Sequence, residues 1–237
     1  SNDGTLLRQF TVPGLITVGV EPATNLAEEG SKGITHLIND FWIYDKYFSV
    51  VGKKAKVITA LGMFYDMEDP NQFIADAEKA LTDDGVFIAQ LMCLKNMLDS
   101  NDVGNICHEH LEYYSFASLE YLFGQNGLEI FDIEINNVNG GSYRLYAKKK
   151  GAMINIPEGA AERIAQVKEE EKDFQDKKVY QDFFQRLEDN KKKCVDFIKQ
   201  ETANGKKVWV FGASTKGNVI LQYYGLDDSL ITAASER

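Results

Sequence analysis

Over the first 150 residues, short runs rich in β-branched side chains alternate with amphipathic stretches. That alternation predicts a largely parallel sheet covered by helices on both faces. Strands are expected at 15–21 (LITVGVE), 34–38 (ITHLI), 55–61 (AKVITAL) and 85–91 (GVFIAQL). Between the last two lies PNQFIADAEKALTDDG, where Pro70 suits a first helical position, Phe73, Ala77, Ala80 and Leu81 share one face, and Gly85 follows the stop. Two later runs, LEIFDIEI (128–135) and SYRLYAKKK (142–150), are joined by the short loop NNVNGG, which predicts a hairpin and so one antiparallel strand. Before them, SFASLEYLFGQNG reads as a helix with Ser115 as N-cap and Gly127 at its close.

The pattern changes from about 157 to 203, a charged helical stretch with Tyr180, Phe184, Leu187, Lys191, Cys194 and Ile198 at steps of three and four. Apart from Lys191 this is an apolar stripe, read as packing surface. VWVFGAS (208–214) then reads as a buried strand leading into the helix TKGNVILQYYG. The expected organisation is an α/β domain over 1–152, followed over 153–237 by a helical connector and the start of a second α/β unit.

With 44% hydrophobic and 11% aromatic residues in 237, a substantial core is affordable. A net charge of −10 excludes broad electrostatic attraction to nucleic acid or anionic lipid and favours a small-molecule partner. The longest apolar runs, such as GVFIAQLMCL, fall well short of the ~20 residues that cross a bilayer. No signal-peptide pattern opens the chain. The cysteines, Cys93, Cys107 and Cys194, are too scattered for a disulfide framework or zinc module, so a cytoplasmic location is expected.

Two regions carry nucleotide-binding signals. Asp3 and Gly4 stand directly before a predicted helix, where free N–H groups favour polar ligand atoms. Glu21 ends the strand about 20 residues further on, the place where dinucleotide folds hold ribose hydroxyls. Asn39 and Asp40 end the next strand, within reach of an adenine amino group. A strand should precede the glycine turn, and the chain begins inside the turn, with Ser1 and Asn2 fitting the motif. At the other end, GASTKGN (212–218) offers glycines after a strand plus Lys216, although it is neither a P-loop nor a full G-x-G-x-x-G. An ordinary tight turn is the plainer reading there.

The segment NICHEHLEYYS (105–115) places His108, Glu109 and His110 together, beyond the strand 85–91 and hence at the carboxyl end of the sheet, where open α/β sheets bind ligands. Three readings stand: a metal site, which would need a third ligand from elsewhere; a structural cluster; and acid–base chemistry, for which imidazole is suited near neutral pH.

SNDGTLL, VGVEPATNLA, ICHEHLEYYSFASLEYLF, GGSYRLYAKK and VFGASTKGNVILQYYG together resemble the S-adenosylmethionine-dependent C-methyltransferases that act on nucleotide-linked keto-deoxysugars. The resemblance implies a Rossmann-like class I methyltransferase sheet with an antiparallel C-terminal hairpin. It also implies an N-terminal zinc module, a first strand and the rest of a C-terminal domain that this chain lacks, so zinc is expected only in the absent module. Asp3, Gly4, Glu21, Asn39 and Asp40 would hold S-adenosylmethionine. His110 would be the general base with Glu109 its acidic neighbour, and His108 or a backbone N–H would face the developing oxyanion. Lys216 and Asn218 would meet the nucleotide sugar. Some members carry a tyrosine where Cys107 stands, so either Tyr113 or Tyr114 would take its place beside the sugar or the substrate differs. The rival readings are a non-catalytic nucleotide-binding module and, more remotely, a nicotinamide-dependent oxidoreductase.

Overall fold

A computed structural model describes residues 2–212 and 214–235; Ser1 and Ala213, both within motifs read above, lie outside the described residues. The elements in order are α1 (Thr5–Arg8), β1 (Val18–Val20), α2 (Ala27–Gly30), β2 (His36–Ile38), α3 (Tyr44–Val51), β3 (Ala55–Leu61), α4 (Pro70–Ala80) and β4 (Leu81–Met92). They continue with α5 (Leu94–Ser100), α6 (Phe116–Gln125), β5 (Leu128–Asn136), β6 (Ser142–Lys149), α7 (Ala160–Glu170), α8 (Lys177–Ala203), β7 (Trp209–Phe211), α9 (Thr215–Tyr224) and β8 (Ala233–Ser235). Among the described residues no helix is long and apolar enough to cross a membrane.

β3 and β4 pair in parallel, and the predicted hairpin β5–β6 folds back so that β6 lies antiparallel to β4, in the order β3-β4-β6-β5. β1–β2 and β7–β8 are separate parallel pairs. The strands expected from the sequence are therefore present, divided among three hydrogen-bonded groups. Strand ends differ: β4 starts at Leu81, because the helix before it stops at Ala80 and passes directly into extended backbone at Leu81 (ψ 143°), four residues ahead of Gly85. Asp69 caps α4 by accepting from Gln72 N at 2.9 Å, with Pro70 in the first turn as expected.

One face of the four-stranded sheet forms the main core. Phe87, Ala89 and Leu91 lie opposite Ala147, Leu145 and Tyr143 under α4, α6 and α7, and Phe64, Leu119 and Phe123 fill the space above them. The opposite face carries Val86, Ile88, Gln90 and Tyr146, which are half-buried, so helices do not cover both faces equally. Polar Gln90 and Arg144 alternate with the core residues, as one-sided burial requires.

The charged stretch 157–203 is two helices broken at 171–176, and its stripe holds except at one position: Tyr180, Leu187, Cys194 and Ile198 are buried or half-buried as expected. Phe183 and Leu187 are buried, while Phe184 is exposed. They join Met92, Leu94, Met97, Leu98 and Val103 in a second core, with Arg186 donating to Asn101 Oδ1 and Leu98 O at 2.8 Å across the end of α5.

The break holds Glu171, a buried carboxylate that accepts from Phe116 N at 2.7 Å and from the Tyr143 hydroxyl. Burial raises its pKa above the ordinary carboxylate value, even with those two donors. A carboxyl raised in the folded state stabilises fully below its unfolded pKa of about 4.3, and that contribution is lost as pH rises through the folded value. Glu171→Gln should therefore gain in melting temperature relative to the native chain as pH rises from about 4 to 7, measurable by differential scanning calorimetry.

Candidate active site

Asn2, Ala23 and Asn39 gather around Glu21. Its Oε2 accepts from Asn2 N at 2.6 Å and its Oε1 from Ala23 N at 3.0 Å, while Asn39 Nδ2 donates to the Glu21 carbonyl at 2.7 Å. Burial acts to raise the Glu21 pKa, and the donors from Ala23 and Asn2 outweigh it, leaving the carboxyl below its usual range. The group is thus an ionised acceptor. Asp3 accepts from Thr5 N at 2.9 Å and Thr5 Oγ1 at 2.8 Å, and Asp40 accepts from Phe41 N at 2.8 Å and from Lys46.

Gly4 has φ +79°, and a Cβ there would sit 2.7 Å from the Gly30 carbonyl oxygen. Both restrictions select glycine, since a left-handed residue with a side chain is strained and here has no room. The turn 2–4 is thereby packed on the end of α2. Asn39 is tied to Glu21 directly, while Asp3 and Asp40 are held by their own local partners; together with Gly4 these residues could hold an adenosyl group, carboxylate for ribose hydroxyls and backbone N–H for polar atoms.

His110 lines a cavity of about 150 Å³ with Tyr65, Gln90, Asn105, Asn139, Ser142 and Lys216. Its Nδ1 lies 2.8 Å from the Asn105 carbonyl oxygen. A carbonyl only accepts, so Nδ1 carries the proton, and in the neutral ring Nε2 keeps its lone pair. The Tyr65 ring meets the imidazole edge-on at 4.6 Å, and the Tyr65 carbonyl accepts from Leu111 N and Glu112 N, tying the histidine loop to the segment after β3.

The other members of the cluster are not beside it. His108 is exposed and lines a second, larger cavity of about 690 Å³ together with Ile106, Cys107, Thr215, Asn218 and Tyr223. Glu109 is exposed and lines neither of these two cavities. Tyr113 donates to the Asn105 carbonyl at 3.2 Å. Tyr114 is packed against Phe64 in the main core, with no hydrogen bond to its buried hydroxyl among the described residues. Segment 105–110 and α9 contribute to both cavities, bringing Lys216 to the smaller and Asn218 to the larger.

Several residues here carry no motif. Asn105 fixes the His110 tautomer through its carbonyl and donates from Nδ2 to Asp102 Oδ2 at 2.7 Å. Asp66, partly buried after β3, has its pKa raised by burial, with His110 opposing and Glu109 adding to the shift. The one signal that could have found Tyr65 and Asp66 is their place beyond the carboxyl end of a parallel strand, where ligands bind.

Residues 137–237 match the family described as the C-methyltransferase C-terminal domain. Over 244 aligned positions the whole chain is 28% identical to the C-methyltransferase NovU of Streptomyces niveus, of which it covers 56%. Residues 137–237 are thus similar to a C-methyltransferase C-terminal domain, and the chain as a whole is similar to a C-methyltransferase. The chain spans a little over half the length of the curated relative it matches. Among solved structures it is similar to magnesium protoporphyrin IX methyltransferase from Synechocystis with bound SAH, at a TM-score of 0.48 and 14% identity, covering 62% of this chain and 70% of that one. It is also similar to an S-adenosylmethionine-dependent methyltransferase from Clostridium acetobutylicum, at a TM-score of 0.45 and 13% identity, covering 57% and 75%.

Proposed function

We propose that this chain transfers a methyl group from S-adenosylmethionine to the carbon beside a ketone in a nucleotide-linked keto-deoxysugar. The observation that carries the reading is His110: its Nδ1 proton is committed to the Asn105 carbonyl at 2.8 Å, which leaves Nε2 as a base on the wall of a small cavity. Carbon next to a carbonyl is acidic enough for such a base, and neutral imidazole is available near pH 7.

The bound S-adenosylmethionine supplies an electrophilic methyl group. Glu21 would accept from its ribose hydroxyls, with Asn39 and Asp40 toward the adenine and the Asp3–Gly4 turn toward the amino-acid end. The smaller cavity suits one sugar ring, being below the 300–1,000 Å³ of pockets for larger ligands. The larger one, with His108 and Asn218, has room for the nucleotide. Tyr113 supports the loop through Asn105, and Glu109 would act in the site by its charge.

Calorimetry with S-adenosylhomocysteine, followed by transfer of labelled methyl from S-adenosylmethionine to a nucleoside-diphosphate 4-keto-6-deoxyhexose, tests the reading. Binding without transfer would leave a nucleotide-binding module; absence of both, or affinity for NADH instead, would overturn it. Glu21→Gln should weaken S-adenosylhomocysteine about 10- to 100-fold, since hydrogen bonds to a charged group contribute about 1.5–3 kcal/mol. Isothermal titration of the variant beside the native chain measures this.

A further inference from the structure

The deprotonation proposed for His110 creates a negative charge on the ketone oxygen, and the cavity must supply a donor for it. His108 lines the other cavity and is turned to solvent. Within the small cavity most donors are spent: the Tyr65 hydroxyl on Gly62 O at 3.2 Å, the Ser142 hydroxyl on Val138 O at 2.9 Å, and Asn105 Nδ2 on Asp102. Gln90 and Asn139 offer neutral amides, and Arg144, the nearby cation, is bound to Gln90 Oε1 at 2.9 and 3.0 Å.

Lys216 differs from all of these. Its ammonium has three donors and makes two long contacts, 3.5 Å to Asp102 Oδ2 and 3.3 Å to the Asn139 carbonyl, with the side chain 40% exposed. Its backbone, in contrast, is held firmly. The first turn of α9 rests on the turn 103–105, where a Cβ on Gly104 would come 3.0 Å from Lys216 Cβ and 3.3 Å from its carbonyl. The same Asp102 that receives the Lys216 ammonium receives the Asn105 amide, and Asn105 holds His110. Base and cation are thus mounted on one short turn with both facing one cavity.

We propose that Lys216 is a catalytic residue, donating a hydrogen bond to the enolate oxygen that forms when His110 removes the neighbouring proton. The inference rests on the C-methyltransferase reading. In the step, His110 Nε2 accepts the proton from carbon; the C–H pair becomes the C=C bond of the enolate. The carbonyl π pair moves onto oxygen, and the ammonium stays protonated beside it. Such a donor acts where charge develops and is therefore worth more in the transition state than in the ground state.

The test follows proton removal alone. The native chain is placed in D₂O with S-adenosylhomocysteine and dTDP-4-keto-6-deoxyglucose, and deuterium entry at carbon is read by mass spectrometry. Exchange should be present in the native chain and slowed about 10²- to 10³-fold in Lys216→Met, the loss typical of one oxyanion donor, with KM nearly unchanged. Lys216→Arg should recover most of it, and both variants should bind S-adenosylhomocysteine as the native chain does. Native-rate exchange in Lys216→Met, or a loss confined to KM, would overturn the role of Lys216 alone. No exchange in the native chain would overturn the underlying reading and the role with it.

Discussion

His110→Ala should lower methyl transfer by about 10²- to 10⁴-fold, the range that a positioned general base contributes. The imidazole is half-buried, and its ties are one hydrogen bond to the Asn105 carbonyl and one edge contact with Tyr65. Removing it costs the fold little, so affinity for S-adenosylhomocysteine and the melting temperature should stay close to native. His110→Gln should fare no better in turnover, because an amide can satisfy the Asn105 carbonyl and cannot take a proton. Steady-state transfer of labelled methyl, run beside calorimetry on the same preparations, separates a lost base from a lost fold. Transfer within tenfold of native in either variant would remove His110 from the chemistry.

Phe64→Ala should destabilise by about 3–5 kcal/mol, the usual cost of emptying a buried phenylalanine site. Phe64 is fully buried, with ring centroids 5.6 to 6.1 Å from Tyr114, Phe73 and Phe123. These three rings come from α4, α6 and the segment before α6, so they do not collapse together into the void. The residue immediately following is Tyr65, whose ring and carbonyl locate the His110 loop. A denaturant melt should show the loss of stability, and turnover at a temperature where the variant remains folded should fall as well. Phe64→Leu should recover most of both, since it keeps the volume that supports Tyr65.

Hydrophobic periodicity reads through to the parallel strands, the antiparallel hairpin and the helices opened by Ser115 and Pro70. It fails where tertiary contact decides. Leu81 completes a helical face by spacing, yet it is the first residue of β4 because extended pairing with Ala55 takes over there. On α8 a one-position shift separates buried Phe183 from exposed Phe184, a difference that depends on where α5 lies and not on the spacing. At the site, residue types that suggest chemistry are visible in the sequence: histidine, strand-tip carboxylates, the lysine after a glycine. Which cavity each of the two histidines meets is not, since His108 and His110 are two residues apart and diverge with the turn of the chain. Asn105 is beyond sequence reasoning altogether, because its part is played by a backbone oxygen.

The hydrogen bond from Lys216 to Asp102 joins residues 114 apart in sequence, whereas the β5–β6 hairpin closes between Asn136 and Ser142. Entropy makes distant closures slower than local ones. The hairpin can zip up early on its own, while the wall that joins lysine to histidine forms only after α8 has been laid down and α9 has returned across it. On the proposed reading, the wall that holds Lys216 beside His110 is completed later in folding than the local hairpin.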